Sequence, residues 1–261
     1  VEPLTAEDVL QLWERGERLR PPARTLALLA RARRGVPAEA LQRMTIGESE
    51  LALLRLRMST FGTAIGALDS CPGCGVLVEV SLDADTLLAV GTMGAGVGEG
   101  TGVGEGSGSS ARRQVTVSAE GRELRFRLPT VGDLAALEQE SDPGAARRRL
   151  LERCLQDPPA SEGLEPVVAD LRPDVQARIA AAMDEADPAA QLTTTLRCPD
   201  CHRSWESGID IAAMFWRELV VLARRLLREV HELASRYGWT EGEILRLSAV
   251  RRHAYLEGRW A

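Results

Sequence analysis

Apolar residues recur every three or four positions at both ends of this chain, whereas in shorter middle stretches they alternate with polar ones. The first pattern is that of an amphipathic helix, the second that of a half-buried strand. In residues 5–59, Thr5 is placed to cap a helix through Leu10 and Trp13. PPARTLALLARARR opens on prolines suited to a first helical turn, and TIGESELALLRLRM keeps helical spacing. Residues 1–60 therefore read as a helical N-terminal region. From Ile211, the set Phe215, Leu219, Leu222, Leu226, Val230, Leu233 and Tyr237 predicts one long amphipathic helix, stopped by Gly238. Thr240 and Glu243 form a capping-box pair for a short helix over Ile244 to Leu247, and residues 249–256 predict a terminal helix, completing a helical region over 211–261.

Between these ends, CPGCGVLVEVSL alternates Val76, Val78 and Val80 after a glycine turn, and RQVTVSAEGRELRFRLPT predicts a hairpin turning at residues 119–121. Residues 61–90 and 111–129 thus form a β region. It is interrupted by residues 91–110, GTMGAGVGEGTGVGEGSGSS, whose composition is that of a flexible loop between two strands. A G-x-G-x-x-G pattern inside that loop carries no phosphate-binding expectation, because the segment has two glutamates, no basic residue and no clear helix after it. Thr130 starts a series of inserted helices over 130–188. AAQLTTTLRC and SWESGIDI then predict two strands joined by a turn within 189–210. The expected fold class is α+β and mainly helical, with a small zinc-ribbon-like β unit.

The turn between those last strands is Cys198-Pro-Asp-Cys201, and a second knuckle, Cys71-Pro-Gly-Cys74, stands earlier, with 123 residues between Cys74 and Cys198. Each can present two thiolates to one ion, and tetrahedral zinc takes four. Cys71, Cys74, Cys198 and Cys201 are therefore expected to hold one structural Zn2+. Four thiolates fill the coordination sphere and leave no position for a catalytic water. The other readings of a C-x-x-C pair are a disulfide within each knuckle or a redox dithiol, but neither pair precedes the amphipathic helix of a thioredoxin-type site.

Composition narrows the chemistry further. The net charge is −6 and none of the 32 basic residues is a lysine, which removes a Walker A loop, a pyridoxal Schiff base and a lysine base. The acidic balance argues against a general nucleic-acid or anionic-membrane binder. No apolar run is long enough to span a bilayer, and the charged first twenty residues lack the pattern of a secretory signal, so a cytoplasmic protein is expected. Cys154, on the apolar side of a helix, reads as a core thiol, and His202 as a surface group beside the knuckle. Trp205 is expected to pack over the knuckle. Arg217, Arg224, Arg225 and Arg228 form a basic face on the long helix, suited to solvent or to an acidic partner.

The C-terminal words REVHELASRYGWTEGEILRLS and RRHAYL resemble the ending of the baseplate hub assembly chaperone family of T-even phages and its relatives in phage-tail-like contractile injection systems. RTLALLARA, CPGCG before a strand, FRLPTVGDLAAL, LLERCL and CPDCHRSWESGIDIAAMFW are similar to the zinc-knuckle members of that group, so the resemblance covers most of the chain outside the Gly-rich segment. It implies a non-enzymatic assembly chaperone or baseplate-associated component whose partners are baseplate, hub or tail proteins. Arg224, Arg228, Tyr237, Trp239, Arg251 and Tyr255 are the candidate partner surface, since aromatics and arginine are favoured at interface centres. The aromatics could equally pack the terminal helices together. The rival function is a zinc-ribbon nucleic-acid-binding or regulatory protein, for which the acidic strand after Cys74 is unfavourable.

Overall fold

The computed structural model describes residues 1–93, 114–119, 122–156 and 171–258. Four helices come first: α1 (Ala6–Gly16), α2 (Pro21–Ala32), α3 (Ala38–Gln42) and α4 (Ile46–Phe61). The β1 (Ala64–Ser70) and β2 (Leu77–Asp83) hairpin follows, then α5 (Ala84–Met93) and the hairpin of β3 (Gln114–Ala119) with β4 (Arg122–Arg127). Helices α6 (Val131–Ala136) and α7 (Pro143–Cys154), strand β5 (Leu155–Gln156) and helix α8 (Pro173–Ala186) lead to a 3-10 turn, Pro188–Gln191. The chain closes with the β6 (Thr193–Arg197) and β7 (Ser204–Gly208) hairpin and with α9 (Ile211–Tyr237), α10 (Glu241–Arg246) and α11 (Ala249–Glu257). The protein is α+β and mainly helical, as its sequence pattern predicts.

Local chemistry sets the helix starts. Thr5 with Asp8, Thr45 with Glu48, Thr130 with Asp133 and Thr240 with Glu243 each form a reciprocal capping box. Asp210 caps α9 by accepting from the Ala213 N–H at 2.8 Å, and Gly238, left-handed at φ 69°, ends it.

Two hydrophobic cores result among the described residues. The first packs α1, α2, α4 and α9 around Leu29, Leu53, Leu56, Phe215 and Leu219, all fully buried. The second joins the β3-β4-β5 sheet to α7 and α8 around Phe126, Cys154 and Ile179. Each such side chain contributes about 1.5–3 kcal/mol by leaving water. The segments expected as separate units, residues 111–129 and the helices of 130–188, thus largely share one core, except that Val131 on α6 packs into the first. The cores are tied together where the Ile46 N–H donates to the Pro129 carbonyl, the Val131 N–H to Met44, and the Gly47 N–H to Asp187 Oδ2 at 2.9 Å. A Cβ on Gly47 would stand 1.9 Å from the Asp187 carboxylate, so only glycine allows that approach.

One expectation gains detail and two need correction. Within the β region a strand, β1, precedes Cys71 and pairs with β2 after it, with Ile65, Ala67 and Asp69 alternating inward. Gly91 does not begin a loop: α5 continues through Met93, and Gly91 is buried where a Cβ would meet Leu51 and Ala189 at 2.8 and 3.0 Å. The remainder of the Gly-rich stretch, 94–110, lies outside the described residues, as do Glu120 and Gly121 of the hairpin turn. The third is the short strand β5, which extends the β3-β4 sheet by pairing Leu155 with Phe126. Its two residues are too few for a periodic signal.

Candidate metal centre

Each knuckle projects from the tip of a hairpin, and both are built alike. In the first, the Cys71 N–H donates to the Val76 carbonyl and the Gly75 N–H returns to Cys71, both at 2.9 Å. In the second, the Cys198 N–H donates to the Arg203 carbonyl at 2.9 Å and the His202 N–H returns to Cys198 at 3.1 Å. Backbone N–H groups point at sulfur in both: Gly73 to Cys71 at 3.3 Å and Cys201 to Cys198 at 3.5 Å. Such N–H···S bonds stabilise a thiolate.

The fold brings the two tips together. All four Sγ atoms lie within 4.8 Å of one another, with Cys71 and Cys201 at 3.5 Å and Cys74 and Cys198 at 3.5 Å. A tetrahedral ion with bonds to sulfur of about 2.3 Å needs sulfur separations near 3.8 Å, so the cluster could hold one metal ion. Cys71 and Cys198 are buried, while Cys74 and Cys201 face solvent. Between the hairpins, the Trp205 indole N–H donates to Oδ2 of Asp69, two residues before Cys71, at 3.1 Å.

Four thiols this close do not ionise independently. Burial opposes charge on Cys71, yet the N–H groups of Gly73 and Cys74, with the neighbouring thiols, hold it down at about 6. Cys74 is pushed up to about 12, because although the Val76 N–H favours its thiolate, the sulfurs around it and burial oppose a second charge. A divalent cation at the centre would reverse that opposition and let four thiolates coexist. Four thiolates around one ion would clamp segments more than a hundred residues apart and would fill its tetrahedral coordination sphere.

The other predicted residues fall into separate places. Cys154 is fully buried in the second core, away from the knuckles, and burial pushes its thiol up to about 11. His202 is exposed beside the second knuckle. At the C-terminus, Tyr237 stacks on Trp239 with ring centroids 4.7 Å apart, Tyr255 meets Trp239 edge-on at 4.9 Å, and the Tyr237 hydroxyl donates to the Tyr255 carbonyl. These half-buried rings fasten the end of α9 to α11. Arg224, Arg228 and Arg251 are exposed. The helical turn of about 100° per residue puts Arg224 and Arg228 on the side of α9 opposite Tyr237, so the six candidates do not form one continuous patch.

Several residues that organise the molecule carry no sequence signal. Arg57, only 4% exposed, forks onto Glu218 at 2.7 and 3.0 Å and bonds the carbonyls of Gly62 and Ala64, joining α4, β1 and α9. Arg252 is buried where its neighbour Arg251 is not, and bonds Glu229 at 2.8 Å and the Leu247 carbonyl at 2.6 Å. Glu50 accepts the Ile211 N–H at 2.8 Å at the start of α9, and burial with the nearby Asp210 charge pushes it up to about 7. An arginine or glutamate in a helical pattern reads as surface, and only the packing shows otherwise.

No family profile, curated protein or solved structure matches this chain. Among the described residues, no helix is long and apolar enough to cross a membrane.

Proposed function

We propose that this protein is a non-enzymatic assembly chaperone or baseplate-associated component of a contractile, phage-tail-like injection system, stapled by one zinc ion. The observation that supports the structural half of this reading is the four-thiol cluster, whose sulfurs converge from the tips of the two hairpins. Zinc is the ion of choice because soft thiolates in a tetrahedral set favour it and it undergoes no redox change. The functional half rests on the resemblance of the C-terminal words, which here form α9, α10 and α11. Arg224, Arg228 and Arg251 supply the exposed charge of the partner surface, and Tyr237, Trp239 and Tyr255 fix the elbow that carries Arg251. The protein acts in the cytoplasm in this reading, where thiols stay reduced and free to bind metal.

The test is co-expression with the sheath, tube, hub and baseplate proteins of a contractile injection system, followed by affinity capture. Recovery of a hub or baseplate protein in defined stoichiometry supports the reading. Salt-sensitive binding of DNA or RNA with no tail protein recovered would favour a zinc-ribbon nucleic-acid binder instead.

A further inference from the structure

Helix α9 has two faces with different fates. One buries Ile211, Phe215, Leu219, Ala223, Leu226 and Leu233 in contact with the body of the protein. On the other, Met214, itself partly packed against the first core, then Arg217, Val221, Arg224 and Arg228 follow one another at intervals of three and four residues. That alternation averages 3.5, the repeat that keeps one helix face against a second helix. Val221 is 68% exposed in the middle of the stripe and Leu227 on its flank is 37% exposed. A groove of 510 Å³ opens at its N-terminal end, where Met214 and Arg217 face Leu68, itself 66% exposed on β1.

The charges on this face are unusual for a chain of net charge −6. Arg217, Arg224 and Arg228 are exposed and have neither an ion pair nor a side-chain hydrogen bond among the described residues. The helix's own acidic residues are mostly engaged elsewhere: Glu218 is held by Arg57, and Glu229 by Arg225 and Arg252. Of the helix's own carboxylates only Glu232 remains beside the stripe, and Glu79 of β2 lines the groove at its N-terminal end. The result is a row of guanidinium groups interleaved with apolar knobs, on a helix about 40 Å long whose other face is already anchored. Little ordering is needed for it to bind.

We infer that this stripe docks an acidic amphipathic helix of a partner protein, whose carboxylates pair with Arg217, Arg224 and Arg228 while its apolar side chains cover Val221 and Leu227. The inference rests on the reading of the protein as a partner-binding assembly factor and specifies the chemistry of the partner. Charge complementarity selects this occupant. A second copy of the stripe would set guanidinium against guanidinium, at a cost. A nucleic-acid duplex or an anionic bilayer would meet the net negative charge around the narrow stripe, and a duplex offers no apolar side chains to cover Val221.

The test uses the full-length zinc-loaded protein and three synthetic peptides of about 24 residues. One is an acidic amphipathic helix with leucine at heptad a and d positions flanked by glutamate, one is its lysine counterpart, and one is a scramble of the acidic peptide. The acidic amphipathic peptide is expected to bind with micromolar affinity, at least tenfold tighter than either control. R224E/R228E should weaken it by tenfold or more, V221S by severalfold, and the neutral pair R224Q/R228Q by an intermediate factor, with melting temperatures unchanged because all these side chains are exposed. Equal binding of the acidic peptide and its scramble, undiminished binding by R224E/R228E, or tighter binding to duplex DNA, anionic vesicles or a second copy would overturn the inference. Co-expression with the tail proteins separates it from the broader reading. A baseplate protein captured equally by wild type and R224E/R228E sinks the docking stripe alone, whereas peptide binding without capture of any tail protein sinks the baseplate assignment alone.

Discussion

Gly75 and His202 occupy the same place in the two knuckles: each follows the second cysteine of its C-x-x-C pair, and each adopts the left-handed backbone, with φ of 77° and 57°. Glycine does this freely, but a histidine is strained there. His202→Gly is therefore expected to raise stability by about 1 kcal/mol while metal content stays constant. Denaturant unfolding with metal analysis on the same sample checks this, and a loss of metal would show that the imidazole helps to hold the ion.

The four-cysteine cluster predicts about one zinc per chain as purified. Changing Cys71 and Cys198 together to serine should bring zinc content close to zero. Chelation should lower stability by about 3 kcal/mol or more, a fall of roughly 6–12 °C in melting temperature. Zinc content unchanged in the double variant would refute the assignment.

Glu50 predicts a pH dependence opposite to that of most carboxylates. Its value rises from 4.5 to about 7 through burial and the Asp210 charge. Between those limits the native state keeps a proton that the unfolded chain has released, so stability falls as pH rises through the window. Glu50→Gln should leave stability at pH 4 unchanged and raise it at pH 8 by about 1–2 kcal/mol, less than the full shift implies because solvent still reaches the group. Urea unfolding at the two pH values measures the difference.

Asp133 should behave in the reverse sense. Although burial opposes its charge, bonds from Arg127 and Thr130 hold its carboxyl well below the usual range, and Arg153 adds a third contact at 2.9 Å. Its stabilising contribution is complete above the unfolded value near 4 and is lost as pH falls toward the folded one. Asp133→Ala leaves Arg127 without its partner and should cost about 3–5 kcal/mol at neutral pH. A cost that persisted undiminished at pH 2 would contradict an ionic origin.

Trp239 is held between Tyr237 and Tyr255, so Trp239→Ala is expected to cost about 1–2 kcal/mol through loss of ring packing. Calorimetry beside capture of the proposed tail-protein partners distinguishes packing from contact: unchanged melting with weakened capture would return Trp239 to the proposed partner surface.

What the sequence determined by itself is local. Thr5, Thr130 and Thr240 announce helix starts because a cap and its N3 partner are three residues apart, and Gly238 announces a stop because its conformation is needed at that one position. The long helix was legible over its whole length because one face meets a continuous core, which imposes a 3.6-residue period. Two C-P-x-C words sufficed to pair the cysteines, since an ion of four-fold coordination needs both. Only the tertiary structure decided which arginines are buried: Arg57 and Arg252 look like Arg55 and Arg251 in sequence, and differ because Glu218 and Glu229 arrive from α9 to meet them. It likewise decided that Gly91 lies inside a helix, through contact with Leu51 and Ala189. It set the Arg224 stripe apart from the Tyr237 cluster as well, because the core chooses which side of α9 it covers. Capping and knuckle chemistry act within a few residues of chain, whereas burial and charge pairing depend on partners that sequence distance does not reveal.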